Sequence, residues 1–236
     1  MKLGRKPCDL VALSRHPQHR FGAVSPHSSL DRRSVDFVPE LYMNNVIPNC
    51  TAVALANVAR ATAALQGYQL VVDPATVPAF YAACVGVSDT DAAMSVTDGA
   101  VALDVLARQA RDGFDIGPQR LYGQSAAIDV ASRSDLASGI ARYVGYWGIT
   151  LRERDMQTVG GRWDVVPGRD DGPVVGGHMI MAWDYFGLAD SDVVRVGTWG
   201  VLQQASWAWV HARLDEAYGV GWPQLVAAPL NTASPD

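Results

Sequence analysis

The chain contains 236 residues, of which 49% are hydrophobic and 18% are charged, and its formal net charge is −5 at pH 7. A chain of this length and composition can bury a large core, which excludes a disordered protein and predicts one large domain or two tightly packed lobes. No apolar stretch approaches the roughly 20 residues that cross a bilayer, so we expect a soluble chain without a membrane partner.

The cysteines and the N-terminus indicate a reducing compartment. Cys8, Cys50 and Cys84 cannot all form pairs, and the apolar run of the basic N-terminus, DLVAL, is too short for a secretory signal. We therefore expect a location in the cytoplasm or in a virus particle, and no secretion through a signal peptide.

Charge is divided unevenly along the chain. Residues 1–33 carry seven Lys or Arg and two Asp, a net charge of +5, and because the whole chain carries −5 the remainder carries −10. The first segment also lacks apolar periodicity, so we interpret residues 1–33 as an extended basic N-terminal arm and residues 34–236 as the folded domain. The charge difference favours docking of the arm on an acidic surface, either of another copy or of a different protein.

The first helix of the domain is predicted from Cys50 to Leu65, where CTAVALANVARATAAL is rich in helix-forming residues and stops before Gly67. It is apolar on nearly every face, which predicts a buried helix. A short second helix is expected to begin near Pro74, because the first turn of a helix does not use the N–H that proline lacks.

Two more helices follow before the pattern changes to strands. Apolar spacing in SVTDGAVALDVLARQARDGF predicts a third helix that ends at Gly113, and a fourth is expected from Asp135 to about Tyr143, followed by a strand to Leu151. The segments GGHMIMAWDYFG, DVVRVGTWG and QASWAWVHARL are predicted to be strands joined by Gly and Asp turns. Helices followed by antiparallel strands indicate an α+β fold.

Cys50 follows Pro48 and Asn49 at the predicted start of the long helix. A thiol at this position lies close to unpaired N–H groups and to the positive end of the helix dipole, which stabilise a thiolate and suit a nucleophile. The alternative is a core residue, because cysteine is among the most often buried residue types.

His178 follows two glycines and opens a predicted strand, where small neighbours leave room for a partner. A thiol nucleophile needs such a base to take its proton and later to protonate the leaving amine. A single His in a strand can equally be structural, so the order of the elements carries the argument. That order is a Cys on an N-terminal helix, a His on a C-terminal strand, and an aromatic TWG on the next strand.

Taken in this order, the segments resemble the papain-like cysteine peptidases, in a compact bacterial or viral form without a prosegment. NNVIPNCTAVALA is similar to the family's Gln-x-x-x-Ser-Cys-x-Ala stretch, GGHMIMAWDYFG to its Gly-His-Ala-Met-x-x-x-Gly-Tyr strand, and GTWG to its Asn-Ser-Trp-Gly. The resemblance covers roughly residues 34–222. It implies a papain-like α+β fold of two lobes, an N-terminal helical lobe and a C-terminal antiparallel sheet lobe with a cleft between them.

The resemblance also implies roles for single residues. Cys50 would be the nucleophile and His178 the general base and acid. Asn44 stands where the family has an oxyanion-binding Gln, and its amide would act beside the Cys50 backbone N–H; the alternative is that Asn44 and Asn45 form a turn pair. No cofactor is implied, and we expect no metal site, because the Cys and His residues of the arm match no established zinc spacing.

The third member of the family's site is replaced. Gly197 stands where an Asn orients the histidine, and we expect the hydroxyl of Thr198 to face away because neighbouring strand residues alternate. Asp184 is expected to lie about 20 Å along the strand from His178, too far to orient its ring. Trp199 matches the family's shielding tryptophan. These positions predict that Gly197→Asn would restore an acceptor for the histidine.

The function that the resemblance implies is a cysteine peptidase or thiol amidase that cleaves peptide-like bonds of a peptide or protein substrate through an acyl-enzyme; acyl transfer would use the same dyad. We therefore expect Cys50 and His178 to lie within hydrogen-bond reach. The alternative is a catalytically impaired papain-like fold used as a structural or docking component of a larger assembly such as a phage particle, which Gly197 and the basic arm favour. No phosphate loop or basic aromatic stripe is present, so no nucleic-acid partner is expected.

Overall fold

The computed structural model describes residues 2–19 and 26–226. The helices in these ranges are α1 (Leu10–Arg15), α2 (Cys50–Leu65), α3 (Thr76–Val85), α4 (Thr90–Met94), α5 (Ala102–Asp112), α6 (Arg133–Tyr143), α7 (Glu153–Gln157), α8 (Trp207–Arg213) and α9 (Pro223–Val226). The strands are β1 (Ser29–Leu30), β2 (Phe114–Asp115), β3 (Arg120–Leu121), β4 (Gln124–Ala127), β5 (Gly145–Arg152), β6 (Arg162–Trp163), β7 (Val174–Phe186), β8 (Val193–Thr198), β9 (Val201–Ser206) and β10 (Leu214–Gly221). Over the same ranges, none of the helices has the length and hydropathy needed to cross a membrane.

Most strands form one large sheet with the order β4-β10-β5-β7-β8-β9-β6, and β1 pairs with the far end of β7. Its neighbouring strands run antiparallel except for β6 and β9, which are parallel. Strand β7 is 13 residues long and pairs with β5, β8 and β1, so the sheet is built around it.

Hydrophobic cores cover the two faces of the sheet. Helices α2, α3 and α5 contribute to the first core, together with Met179 and Met181 of β7. Helices α6 and α8 contribute to the second, together with Ile180 and Ala182 of the same strand. This alternation follows from extended backbone, in which successive side chains point to opposite faces. The two cores are the physical basis of the two lobes.

The long helix, the α5 and α6 helices and the β5 strand lie where the sequence predicts them, and α2 is buried along most of its length. The prediction of a strand over QASWAWVHARL is wrong for its second half, which forms α8. The Ser206 hydroxyl accepts a hydrogen bond from the Trp209 N–H at 3.1 Å and caps this helix, so the alternating tryptophans lie on helical turns. His211 is therefore a helical residue and not a strand residue.

The predicted arm contains more structure than its composition suggests. Asp9 caps the short helix α1, and β1 forms an extended pair with β7. Residues 1 and 20–25 of the predicted arm lie outside the described residues.

Candidate active site

Cys50 is the first residue of α2, and its side chain is buried with 1% exposure. Burial raises the pKa of the thiol to about 11, against the opposing effect of the backbone N–H groups of Met179, Gly4 and Thr51. Met179 directly follows His178 in β7. The helical lobe therefore brings the thiol to the strand that carries the candidate base.

His178 lies near the start of β7 and is equally buried. Its Nε2 is 2.8 Å from Thr198 Oγ1, and its ring stacks on Trp199 with the ring centroids 4.2 Å apart and the planes 19° apart. Burial lowers the pKa of His178 to about 3, and the positive charge of Arg5 acts in the same direction. The imidazole is therefore neutral at pH 7.

The contact with Thr198 corrects the prediction that this hydroxyl faces away from the histidine. Gly197 lies opposite Met181 in the β7–β8 pair, and a Cβ on Gly197 would contact the Met181 side chain. Directly opposed residues share a face, so Thr198, one position further along, lies on the face of Ile180 and His178. The group that orients the ring is the Thr198 hydroxyl. Gly197→Asn would place its side chain on the other face, so the prediction that it restores an acceptor is wrong.

Asn44 is buried in the loop before α2, and its amide is engaged within that loop. Its Nδ2 donates to the Ile47 carbonyl and to Asn49 Oδ1, each at 3.2 Å. Asn49 in turn donates to the Tyr42 carbonyl at 2.9 Å. These bonds fix the loop that leads into Cys50, and an oxyanion role for Asn44 requires its amide to exchange one of them.

No hydrogen bond joins Cys50 and His178. The Nε2 of His178 is used by Thr198, and its Nδ1 is buried without a hydrogen-bond partner among the described residues. The predicted bond is therefore not formed in this arrangement.

Residues 2–6 lie across the candidate site and connect the two lobes. Arg5 forms a parallel β-bridge with Ala100 of the helical lobe and an antiparallel bridge with Gly177 of the sheet lobe. The backbone donors and acceptors are Lys2 N–H to the Asn44 carbonyl (3.1 Å), Arg5 N–H to the Gly177 carbonyl (3.2 Å), Lys6 N–H to the Ala100 carbonyl (2.9 Å) and Ala100 N–H to the Gly4 carbonyl (2.9 Å). We call the space that these residues occupy the cleft, and residues 2–6 the cleft segment.

The cleft segment fits tightly where it passes the nucleophile helix. A Cβ on Gly4 would overlap the carbonyl of Pro48, two residues before Cys50, so only glycine allows this approach. The segment, together with the stacked Trp199, leaves both candidate catalytic side chains buried.

The side chain of Arg5 fills a polar pocket that the sequence analysis missed. One terminal nitrogen donates to Glu216 Oε1 at 2.8 Å. The other donates to the Ile149 carbonyl at 3.1 Å and to Thr150 Oγ1 at 3.3 Å, and it forms an ion pair with Asp215. The cleft segment thus docks on acidic residues of the chain's own body. Because Arg5 and Glu216 are 211 positions apart, no local pattern could have joined them.

Solved structures similar to this chain are papain-like cysteine proteases. Xylellain, a cysteine protease from Xylella fastidiosa, is similar with a TM-score of 0.66 and 12% identity, over 92% of this chain and 95% of that chain. Procathepsin B S9 from Trypanosoma congolense gives 0.64 and 12%, over 93% and 86%. Digestive procathepsin L2 proteinase from the Tenebrio molitor larval midgut gives 0.61 and 13%, over 92% and 76%.

No protein-family model and no curated protein matches the sequence. The structural similarity shows that the chain has the papain-like peptidase fold, as predicted from the order of its motifs.

Proposed function

We propose that this chain is a papain-like thiol peptidase whose cleft is closed by its own residues 2–6. The observation that carries the proposal is the meeting of two elements from different lobes. Cys50 of α2 and Met179 of β7 lie in the same buried core, Met179 directly follows His178, and the imidazole is oriented by Thr198 and covered by Trp199.

In the proposed reaction, the Nε2–H of His178 donates to Thr198, which leaves the Nδ1 lone pair to take the proton of Cys50. The thiolate sulfur bonds to the peptide carbonyl carbon. The oxyanion then accepts hydrogen bonds from the Cys50 N–H and, once it exchanges a loop bond, from the amide of Asn44. The imidazolium returns its proton to the amine as the C–N bond breaks, and water hydrolyses the resulting thioester.

In the closed form neither group ionises at neutral pH, because burial raises the pKa of Cys50 to about 11 and lowers that of His178 to about 3. Departure of the cleft segment admits water and removes the main cause of both shifts. The two pKa values then approach each other, and a thiolate–imidazolium pair becomes accessible. The protein is therefore latent until the cleft segment leaves.

One observation favours the alternative function, a papain-like fold that serves as a docking part of an assembly. His178 Nδ1 makes no hydrogen bond among the described residues, so the ring is not paired with the Cys50 thiol. If this arrangement persists after the cleft segment leaves, Cys50 and His178 do not form a catalytic pair, and the site is inactive in both forms of the protein.

The test is to expel the cleft segment with Gly4→Ala, whose Cβ would overlap the Pro48 carbonyl. Gly221→Ala is the matched control, because a Cβ there contacts nothing within 4 Å. The measurement is the alkylation rate of Cys50 against pH, read by mass spectrometry of the labelled peptide, with and without His178→Ala. Hydrolysis of a mixed peptide library is followed in parallel.

We expect the parent and Gly221→Ala to react slowly and Gly4→Ala to react at least about tenfold faster at pH 7, with a rate that depends on His178 and with peptide cleavage. The docking function would be supported by a different result in Gly4→Ala: a Cys50 thiol that is exposed, has a pKa near the ordinary value of about 8.5, and reacts at the same rate when His178→Ala is added.

A further inference from the structure

The four most exposed large apolar side chains in the part of the chain that the structure describes belong to two separate surfaces. Leu10 and Val11 of α1 are 73% and 59% exposed, and Val38 and Val71, which line a groove beside α2, are 63% and 74% exposed. Single exposed apolar residues are normal on a protein surface, whereas grouped ones mark interaction sites. Both surfaces therefore lack an apolar contact within the chain.

Helix α1 is attached to the body on one side only. Leu13 packs against the first core, whereas none of the six residues of the helix is fully buried. Arg15 follows Val11 by four positions, so the two side chains are neighbours on the helix surface. Arg15 is exposed and forms no ion pair within the described ranges. The free side of α1 therefore presents an apolar pair and a cation.

The groove beside α2 has a volume of about 530 Å³ and lies between the loop before this helix and the segment after it. We call it the α2 groove. Its apolar lining comes from both segments: Val38, Leu41 and Met43 of the first, and Leu70, Val71 and Val72 of the second. The groove is therefore wide enough to receive apolar side chains from another molecule.

The charges of the α2 groove leave one carboxylate without a cation. Arg60 lies 3.6 Å from Glu40 and donates to the Val38 carbonyl at 2.9 Å, so its guanidinium group is already engaged. Asp36 lines the same groove, is exposed and has no ion pair among the residues that the structure describes. The α2 groove thus matches α1 in both respects, since it offers apolar walls to an apolar pair and a carboxylate to a cation.

The two surfaces do not cover each other within one chain, because both are exposed in the same structure. The net charge of +5 on residues 1–33 and of −10 on the remainder favours their contact between copies. A contact between two different surfaces is heterologous, so each copy that joins still has one surface of each kind to offer.

We propose that α1 of one copy docks in the α2 groove of a second copy, so that copies of the chain join head to tail. The apolar pair of α1 covers the walls of the groove, and Arg15 pairs with Asp36 of the second copy. A contact made by one short helix belongs to the weak class of protein interfaces, so association is expected at high concentration. The inference is independent of the peptidase proposal, because neither surface contains Cys50, His178 or a residue of the cleft segment.

The experiment is sedimentation velocity of the full chain at about 5–500 μM, a range that suits a weak interface. Leu10→Asp disables α1, Val71→Asp disables the α2 groove, and Val166→Asp is the matched control, because Val166 is 44% exposed and belongs to neither surface. We expect the mass of the parent and of the control to rise with concentration beyond two chains, and each of the other variants to remain a single chain.

The decisive measurement is an equimolar mixture of Leu10→Asp and Val71→Asp. One variant retains the groove and the other retains α1, so the mixture should form particles of two chains and no larger ones. Arg15→Glu should weaken association of the parent about two- to fivefold, as expected for an exposed ion pair, and Asp36→Arg in the same chain should restore it.

A parent that remains a single chain over the whole range overturns the inference. Two variants that stay single chains and do not combine when mixed overturn it too, since this result indicates a symmetric contact. Association that survives Leu10→Asp but not Val71→Asp means that a different segment fills the groove, which also overturns it. Val11→Asp and Val38→Asp provide a second pair of variants for the same mixing test where one of the first pair does not fold.

Discussion

Two buried arginine–carboxylate clusters in this protein are built in different ways. In the first, Asp155 accepts hydrogen bonds from Trp209 Nε1 at 2.7 Å, from Arg213 Nε at 2.9 Å and from the Arg152 N–H at 2.8 Å. Arg213 also pairs with Asp171 at 2.5 Å. All of these residues belong to the sheet lobe. We call this set the Asp155 cluster.

The second set, which we call the Arg5 cluster, consists of Arg5, Glu216, Asp215 and Tyr218. Its arginine comes from the cleft segment, its Nε has no hydrogen-bond partner among the described residues, and Asp215 is partly exposed. Two arginine–carboxylate clusters that are equally buried can therefore differ in how easily they are broken. The Asp155 cluster is completed within one lobe, whereas the Arg5 cluster loses its cation when one short segment moves.

The largest effect that we expect is from Asp155→Ala. This change removes a buried partner of Arg213 and the hydrogen-bond acceptor of the Trp209 indole. The free energy of unfolding should therefore fall by about 3–5 kcal/mol. Urea unfolding measures it. A loss below about 1 kcal/mol would contradict the view that this cluster is a permanent part of the sheet lobe.

Arg5→Ala should cost less, about 2 kcal/mol, although Arg5 is equally buried. Water can enter the pocket and hydrate Glu216 when the cleft segment loosens, which reduces the penalty for an unpaired carboxylate. The same urea experiment provides the comparison with Asp155→Ala. Equal losses in the two variants would show that the cleft segment is as permanent as the sheet lobe.

Acid should destabilise the folded chain through His178. His178 has a pKa of about 3 in the folded chain against an ordinary 6.5, so the unfolded chain binds this proton more readily and stability is lost as pH falls from 6.5 toward 3. The slope contributed by this residue is about 1.4 kcal/mol per pH unit within that window. Urea unfolding between pH 7.5 and 4 should therefore show a shallower dependence in His178→Gln than in the parent.

His27→Gln is the control for this experiment, because His27 is an exposed histidine. A parent and a His178→Gln variant with the same pH dependence would mean that the buried ring gains access to solvent in the folded state. That result would indicate that the cleft segment does not exclude water from His178 in the folded protein.

The smallest effect is expected from Thr198→Val, which removes the hydroxyl at 2.8 Å from His178 Nε2 with little change in volume. Loss of one buried hydrogen bond should cost about 1 kcal/mol, and Thr198→Ser should retain most of that stability. In the Gly4→Ala background, Thr198→Val should also slow alkylation of Cys50 and change the ¹⁵N shifts of His178, because the ring loses its fixed tautomer. Unchanged shifts would exclude Thr198 as the positioning residue.

The sequence predicts the fold well where the signal is local. The all-apolar helix that begins at Cys50, the α6–β5 succession and the order of Cys and His are visible as periodicity, turn residues and motif order. The error over α8 has a local cause too, since Trp207 and Trp209 alternate like strand residues while the cap at Ser206 specifies a helix.

The candidate site is less predictable because two of its features depend on pairing between distant segments. The register of β7 with β8 determines whether Gly197 or Thr198 lies on the same face as His178. A register shift of one residue would move every side chain of β8 to the opposite face of the sheet. The composition of residues 1–33 indicates a basic arm, but it gives no sign that a pocket 211 positions away accepts the Arg5 side chain. Local sequence patterns therefore do not predict contacts between segments that are this far apart in the chain.

The separation between Arg5 and Glu216 also has a consequence for biosynthesis. During translation the cleft segment leaves the ribosome early, whereas Glu216 lies in β10, the last strand of the large sheet to be made. Contacts of high sequence separation form late, because the intervening chain must first be ordered. We therefore expect the Arg5–Glu216 contact, which closes the cleft over Cys50, to form after both lobes are assembled.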